Sequence, residues 1–353
     1  MASLIVERTS YVYLGLVILI WYLISEVSET WWLSTALTYL PRRPYMIPGV
    51  ILLPFAAVFH RQSIWMLLGG IAIVFWPLSG YKFASATSTP NNQSINLVTC
   101  NVHAFEPSFE RVLNEIVTAN PHIVCLQEAY NDGKTVKDHT VFFDGWFKIQ
   151  RGEYFIASQF PMEFVGEVEV PSLERRSAIV VKIKSPMGEF LVTNIHQTTA
   201  RHGLSELSIG SMFTGGPASV EEYQRKRAEE AFTTRVFLSE QGWKTPTLVL
   251  GDFNMPSSSS IYQRNWSTFQ NAFDVAGKGY GFTSPCNTDR LWPNNTPWLR
   301  IDHVLASHHW RINHCQVAMD NGSDHRAVAA SVNLRGSRRR SNRTRRDDSS
   351  ASN

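Results

Sequence analysis

Six short stretches of the chain end or flank an apolar run with a side chain able to do chemistry. At 247–256 the run Leu248-Val249-Leu250 stops in Gly251-Asp252-Phe253-Asn254. Residues two apart on an extended chain face the same way, so Asp252 and Asn254 would be presented together. One group can take a proton or hold a metal, and the other can donate hydrogen bonds to developing negative charge. The same pair also suits an ordinary Asp-x-Asn turn. Glu128 follows the run at 123–127, and an ionised carboxylate beside an apolar strand needs a partner, which a hard divalent cation supplies. Asn101 ends the run that starts at 95, and His196, which closes 190–195, would titrate near neutrality. Asp302-His303 precedes Val304-Leu305, and Asp324-His325 follows the turn Asn321-Gly322-Ser323. Alone, Glu128 is as readily structural as functional, and Asp252 with Asn254, or His196, is more often structural. Their recurrence at separate strand ends is what one site built from many loops requires.

Those side chains need strands to carry them. The patterns predict strands at 95–101, 123–126, 154–157, 178–184, 190–195, 248–250, 300–306 and 327–333. They predict an amphipathic helix over 109–120, ended by Pro121, and a long Glu- and Arg-rich helix over 220–241. Strands with few helices between them imply layers of sheet covered by helices. The serines at 257–260 read as a loop or helix start and not as a nucleophile, because no base is appended. No internal repeat is present.

In chain order, Asn101, Leu126-Gln127-Glu128, Asn194-Ile195-His196, Gly251-Asp252-Phe253-Asn254, Ile301-Asp302-His303 and Ser323-Asp324-His325 resemble the motifs of the endonuclease/exonuclease/phosphatase superfamily, whose members include deoxyribonuclease I. The resemblance covers 95–333, with weaker echoes in Ile156-Ala157-Ser158, Pro161, Arg175-Arg176 and Gly281-Phe282-Thr283. It implies an α/β (α+β) fold: a four-layer αββα sandwich of two packed, mostly antiparallel sheets, here preceded by transmembrane helices. It also implies hydrolysis of a phosphodiester, in nucleic acid or a phospholipid headgroup, by an activated water and a divalent cation, usually Mg²⁺ with Mn²⁺ as an alternative. By the same resemblance Glu128 is the principal metal ligand, with Asn101 and Asp324 near the metal or its water. Asp252 orients or deprotonates the water, and Asn254 donates to a phosphate oxygen. His196 does likewise or protonates the leaving oxygen, and Asp302 holds His325. His103 stands where many nuclease members carry Asn or Asp, which leaves a second metal unsupported. His303 is read as structural, and Glu153 is a further candidate partner for His196 outside the motifs. The alternative is a membrane receptor or scaffold that keeps the fold without catalysis; loss of Glu128, Asp252, Asn254 or His325 would have favoured it, and all are present.

The 353 residues are 44% hydrophobic, as in a globular protein, with a net charge of +3. Residues 335–353 hold seven arginines against two aspartates, so what precedes them is slightly acidic and the overall basicity says little about polyanion binding by the folded part. Cys100, Cys125, Cys286 and Cys315 have no zinc-like spacing and are too few for a disulfide scaffold; the first two are expected to pack as small hydrophobes. Three uncharged stretches, 9–25, 44–59 and 62–81, predict about three transmembrane helices, the third being the strongest. The aromatic stretch 30–40 is expected to lie in the interface or to re-enter. Lysines and arginines nearly balance across the two sides, so the chain's orientation stays open. The expected organisation is a membrane anchor at 1–83, a linker at 84–94, a catalytic domain at 95–334 and a basic disordered tail at 335–353. That describes a multi-pass cell-membrane protein whose partners are the lipid bilayer and a phosphodiester substrate, with no obligate protein partner.

Overall fold

A computed structural model of the chain describes residues 1–84, 94–106, 108–242, 244–286, 293–319 and 322–335. The first helix, α1 (Ala2–Tyr22), continues through irregular turns to Thr30. Among the described residues, Ala2–Thr30 is the one helix long and apolar enough to cross a membrane, with a mean hydropathy of 1.7. After it come α2 (Trp32–Tyr39), α3 (Ile47–Phe59) and α4 (Ser63–Ile73). The helices α1, α3 and α4 share a core of Val6, Tyr13, Val17, Ala56, Leu67 and Val74. The Tyr13 ring fits there because Gly49 and Gly70 lack side chains; a Cβ would come within 2.7 and 2.6 Å of it.

Helix length does not support the expectation of about three transmembrane helices with the third the strongest. The two later apolar helices, Arg43–Phe59 and Ser63–Leu78, are shorter than a full span. The uncharged run at 62–81 overstates its helix, which ends by Leu78 before Gly80 turns at φ 74°. Conversely, 9–25 understates α1, which extends over Glu7 and Arg8 at one end and reaches Glu29 at the other, where Arg227 pairs with that carboxylate. Absence of charge measures a run, not the helix that contains it. In the stretch 30–40, α2 buries Ser34, Thr35, Thr38 and Tyr39, and Thr35 donates to Gln224 at 3.1 Å.

From residue 95 onward, period-two alternation sets the architecture. In β1 (Ile95–Asn101), Ile95 and Leu97 enter one core while Val98 and Cys100 enter another. β2 (Ile123–Gln127) divides likewise, with Ile123 and Cys125 opposed to Val124 and Leu126. A strand buried on both faces reads as a continuous apolar run. Next come a two-stranded ribbon, β3 (Tyr130–Asn131) with β4 (Lys134–Thr135), then β5 (Phe147–Arg151), β6 (Tyr154–Ser158), β7 (Met162–Val170), β8 (Arg175–Ser185) and β9 (Gly188–His196). β10 (Thr247–Asp252), β11 (Gln270–Asn271), β12 (Asp302–Ala306), β13 (Trp310–Val317) and β14 (Val328–Leu334) complete the strands described.

They form two six-stranded sheets in the orders β13-β14-β1-β2-β6-β5 and β11-β12-β10-β9-β8-β7. Each sheet has one parallel pair, β1 with β2 and β9 with β10, among antiparallel neighbours. Between the sheets lie Leu97, Cys125, Ile156, Val181, Val192, Leu250 and their neighbours. Outside the first sheet α5 (Phe109–Thr118) packs Phe109, Val112 and Ile116; the short α6 (Val136–His139) follows it. α7 (Arg201–Ser205) leads to α8 (Gly216–Glu240), which with α9 (Ser260–Trp266) covers the second sheet through Ala231, Leu238, Ile261 and Trp266; α10 (Ala272–Ala276) closes the inter-sheet core. The expected four-layer αββα sandwich is therefore present. β5, β7 and β13 went unpredicted because their burial is ragged, so no period shows. Arg335 belongs to the fold, its Nε donating to the Trp310 carbonyl at 2.8 Å; of the predicted linker and tail, residues 85–93 and 336–353 lie outside the described residues.

Gly251 shows how tightly the site strands are set. It sits at φ 144° opposite Ile195, and a Cβ would come within 2.0 Å of that residue's carbonyl oxygen. Gly251→Ala is expected to cost about 3 kcal/mol in denaturant unfolding, because the added Cβ collides with paired strand backbone that cannot repack.

Candidate active site

The inter-sheet face that is apolar along most of each strand turns polar at one end. Continuing the alternation, Ile95 and Leu97 lead to Asn101, Cys125 to Gln127, Val192 to Asn194 and His196, Leu250 to Asp252, and Val304 back to Asp302. Strand direction and parity alone bring these side chains to one rim. Below the rim Gln127 Nε2 donates to Asn194 Oδ1 at 2.6 Å, and Asn194 Nδ2 donates to the Leu126 carbonyl at 2.8 Å, tying sheet to sheet. Both groups are buried, and each bond offsets the desolvation of the other.

Asp252 is the centre. It is 1% exposed, and its partners come from both sheets. Asn101 Nδ2 donates to Asp252 Oδ2 at 3.2 Å and to Glu128 Oε1 at 2.7 Å. The Asn254 backbone N–H donates to Asp252 Oδ1 at 2.8 Å, and its Nδ2 donates to Asp252 Oδ2 at 3.1 Å. The Nε2 atoms of His196 and His325 lie 3.8 and 3.7 Å from the same Oδ2. Burial raises the Asp252 carboxyl to about 6, with His325 and His196 opposing the rise and Asp302 adding to it.

Each imidazole has a carboxylate behind it. His325 Nδ1 is 2.9 Å from Asp302 Oδ2, and His196 Nδ1 is 3.1 Å from Glu153 Oε2. Burial alone would depress both imidazoles, but the carboxylates outweigh it. His325 is held well above its usual value by Asp302 and Asp252, and His196 is held at about 9 by Glu153 and Asp252. Arg175 backs Glu153 at 3.7 Å and donates to Thr198 Oγ1 at 2.8 Å. The Thr283 hydroxyl accepts from the Ile301 and Asp302 N–H groups at 3.1 and 3.3 Å, fixing the start of β12. Glu128 and Asn254 adopt φ 49° and 51°, a left-handed backbone that is costlier for Glu than for Asn and is held here by the surrounding bonds. A cavity of about 540 Å³ opens onto Glu128, His196, Asp252, Asn254, Asp324 and His325.

A model of the endonuclease/exonuclease/phosphatase family matches residues 98–325, more than half the chain, and that span contains all of these strand-end residues. The chain belongs to this family. Solved structures share its fold. D. rerio TDP2 complexed with single strand DNA product is 12% identical, with a TM-score of 0.51, covering 69% of this chain and 100% of that one. The 3′ phosphatase NExo from Neisseria bound to product DNA hairpin is 18% identical at a TM-score of 0.49, covering 67% and 98%. The mannosyl-6-phosphatase of Bacteroides thetaiotaomicron is 17% identical at 0.48, covering 67% and 99%. Comparison with curated proteins gave no match.

For this family member, two groups of side chains bear on metal binding. Asp252, Asp302 and His325 place ligand atoms within 4.8 Å of one another, forming a buried acidic and histidine cluster. There, however, His325 Nδ1 is already engaged by Asp302. Glu128, Asp324 and Asn101 instead offer oxygens, which suit a hard cation. Asp324 Oδ1 is buried and makes no hydrogen bond, with only His103 Nδ1 at 4.0 Å, so a positive ion would satisfy it. The donor set therefore fits a hard divalent ion.

All eight residues singled out in the sequence meet at this rim. Asn254 departs in detail: both amide protons are used, one on the Gln197 carbonyl at 2.8 Å and one on Asp252, so it orients Asp252 as it stands. His303 is structural, as read: its Nε2 is 3.0 Å from the Met255 carbonyl, and burial, aided by Arg300, lowers it to about 4. His103 is peripheral, with Nδ1 4.0 Å from Asp324. Sequence reasoning missed Tyr39 outright. Its hydroxyl lies 2.9 Å from Glu29 Oε1 and 3.2 Å from the Asn254 carbonyl, and no local pattern announces such a contact.

Replacing Glu153 with Gln removes the carboxylate that holds His196 up. The His196 pKa, followed by NMR titration in the metal-free protein, is expected to fall below about 9. A raised folded-state pKa adds stability below the usual 6.5 and loses it as pH climbs through about 9. The stability gap between wild type and Glu153→Gln should accordingly be widest near pH 6.5 and close toward pH 9.

Proposed function

We propose that this chain is a divalent-metal-dependent phosphodiesterase, tethered to a membrane by its N-terminal helices, that cleaves its substrate by in-line attack of water. The observation that carries this reading is the convergence of Glu128, Asp324, His196, Asp252 and His325 on one cavity, with Asp324 Oδ1 buried and without a hydrogen bond. Mg²⁺ suits the oxygen donors, and Mn²⁺ would serve in its place. When bound, the cation supplies positive charge to the phosphate and its attacking water.

The protein's own groups account for the rest. Asp252, with a carboxyl near 6, is mostly ionised at neutral pH and is positioned to accept a proton from water. Asn101 and Asn254 hold that carboxylate from two sides. His196 and His325, kept protonated by Glu153 and Asp302, present Nε2–H groups to the negative charge that builds on phosphate oxygens. His196, on the Glu128 side at 3.7 Å, is placed to protonate the leaving oxygen. Asn254 can meet a phosphate oxygen by releasing Asp252. In this reading residues 1–83 anchor the chain and 95–334 catalyse. A non-catalytic scaffold would have no use for two imidazoles each backed by a carboxylate.

The test uses purified full-length chain in detergent with bis(p-nitrophenyl) phosphate. Hydrolysis should require Mg²⁺ or Mn²⁺ and stop with EDTA. Asp252→Asn or His325→Gln should lower kcat by about 10²–10⁴-fold with the fold intact. Wild-type activity in either variant, or turnover in EDTA, would refute the assigned roles.

A further inference from the structure

The cavity that contains the phosphoesterase groups has a second wall of different character. Opposite the carboxylates and imidazoles stand Tyr39, Ala200, Leu204, Trp298, Leu299 and Ile301, which pack as one apolar cluster. Tyr39 is the last residue of α2, the helix that follows the membrane-length segment Ala2–Thr30. Trp298 is fixed to the same helix, its Nε1 donating to the Tyr39 carbonyl at 2.9 Å. The N-terminal region thus supplies part of the active-site lining and holds another part in place. The segment after α7, which carries Leu204, exposes Ile209 and Phe213 at 86% and 88%, with Met212 beside them. Apolar side chains this free of protein contact are costly in water and at home in a bilayer surface.

We propose that this wall binds the apolar substituent of an amphiphilic phosphodiester, so that the substrate is a membrane lipid drawn into the cavity headgroup first. The proposal rests on the phosphoesterase reading and names its substrate class. The reaction is hydrolysis: water adds to phosphorus, one P–O ester bond breaks, and a phosphomonoester and an alcohol leave. Two observations favour lipid over nucleic acid. The chain before residue 335 is slightly acidic, whereas polyanion binding draws on clustered positive charge. The wall also takes Tyr39 from α2, the helix directly after the segment Ala2–Thr30 that is apolar enough to enter a membrane, and that puts the opening within reach of lipid.

The experiment compares three substrates with the full-length chain and Mg²⁺: vesicles of phosphatidylcholine, phosphatidylethanolamine and phosphatidylglycerol, a single-stranded DNA oligonucleotide, and bis(p-nitrophenyl) phosphate. Release of phosphomonoester gives kcat/KM for each. The wild type is expected to prefer a vesicle lipid to the oligonucleotide. Leu204→Gln should lower the ratio of lipid to soluble-ester kcat/KM by about tenfold, the worth of one apolar side-chain contact. If Leu204→Gln fails a thermal-unfolding check, the exposed pair Ile209→Ser/Phe213→Ser serves instead, with a several-fold fall in the same ratio expected. An unchanged ratio in a folded variant, or a higher kcat/KM on the oligonucleotide than on every lipid, overturns the proposal. Failure of the wild type on all three substrates would instead bring down the phosphoesterase reading beneath it.

Discussion

A carboxylate buried between two sheets dictates the rest of this site. Asp252 is 1% exposed, and a lone ionised carboxylate in such a place would cost several kcal/mol. It is tolerated because Asn101 reaches it from the first sheet, the Asn254 backbone N–H caps it, and two imidazoles face it. Those imidazoles are themselves buried and keep their protons because Asp302 and Glu153 sit behind them and Asp252 faces them. Charge thus alternates outward in shells, carboxylate, imidazole, carboxylate, and removal of any member leaves its neighbour uncompensated. The same alternation brings a carboxylate and two imidazoles to one point, the arrangement that the proposed hydrolysis requires.

Geometry reaches that arrangement through strand parity. Each inner strand places every second side chain between the sheets, and the packed centre there is aliphatic. Beyond the aliphatic core, the same parity delivers Asn101, Gln127, His196 and Asp252 without any loop having to be shaped for them. Gly251 lets β10 approach β9 closely enough that Asp252 and His196 sit side by side in register. The rigidity of the sandwich is therefore also the precision of the site.

This explains what could be read from the chain. Inner strands such as 95–101, 123–127 and 248–250 are buried on both faces, so both the run and its polar stop are visible, and the stops are the site. Edge strands β5, β7 and β13 are buried irregularly and leave no period. Glu153 lies in the tight turn between β5 and β6, and its role depends on β9 arriving across the sandwich with His196. Tyr39 and Glu29 were invisible for the same reason at longer range: their partners, Asn254, Arg227 and Ser259, are about 200 residues away. Among the described residues one helix reaches membrane length; a run without charge does not show where its helix stops, and the first helix continues past its uncharged run to Glu29, which Arg227 pairs with.

That pairing bears on how the N-terminal helices and the sandwich are joined. Glu29 and Arg227 are fully buried, 2.5 Å apart, and Glu29 also takes hydrogen bonds from Tyr39 and Ser259. A buried ion pair adds little net stability, because desolvation cancels most of the attraction, but breaking it strands a charge at a cost of about 3–5 kcal/mol. Such a joint therefore selects a geometry more than it strengthens one. Any tilt that parted α2 from α8 would expose an unpaired guanidinium to an apolar surrounding, so one relative placement is far below its neighbours in energy. Arg42 reinforces that choice by bonding Thr38 and Leu78 on the helical side and Ser258 on the other. The consequence reaches the chemistry directly: the helix fixed by this joint ends in Tyr39, whose hydroxyl touches the carbonyl of Asn254, and Asn254 holds the central carboxylate. The placement of the membrane-length helix and the aim of Asp252 are thereby parts of a single hydrogen-bonded chain.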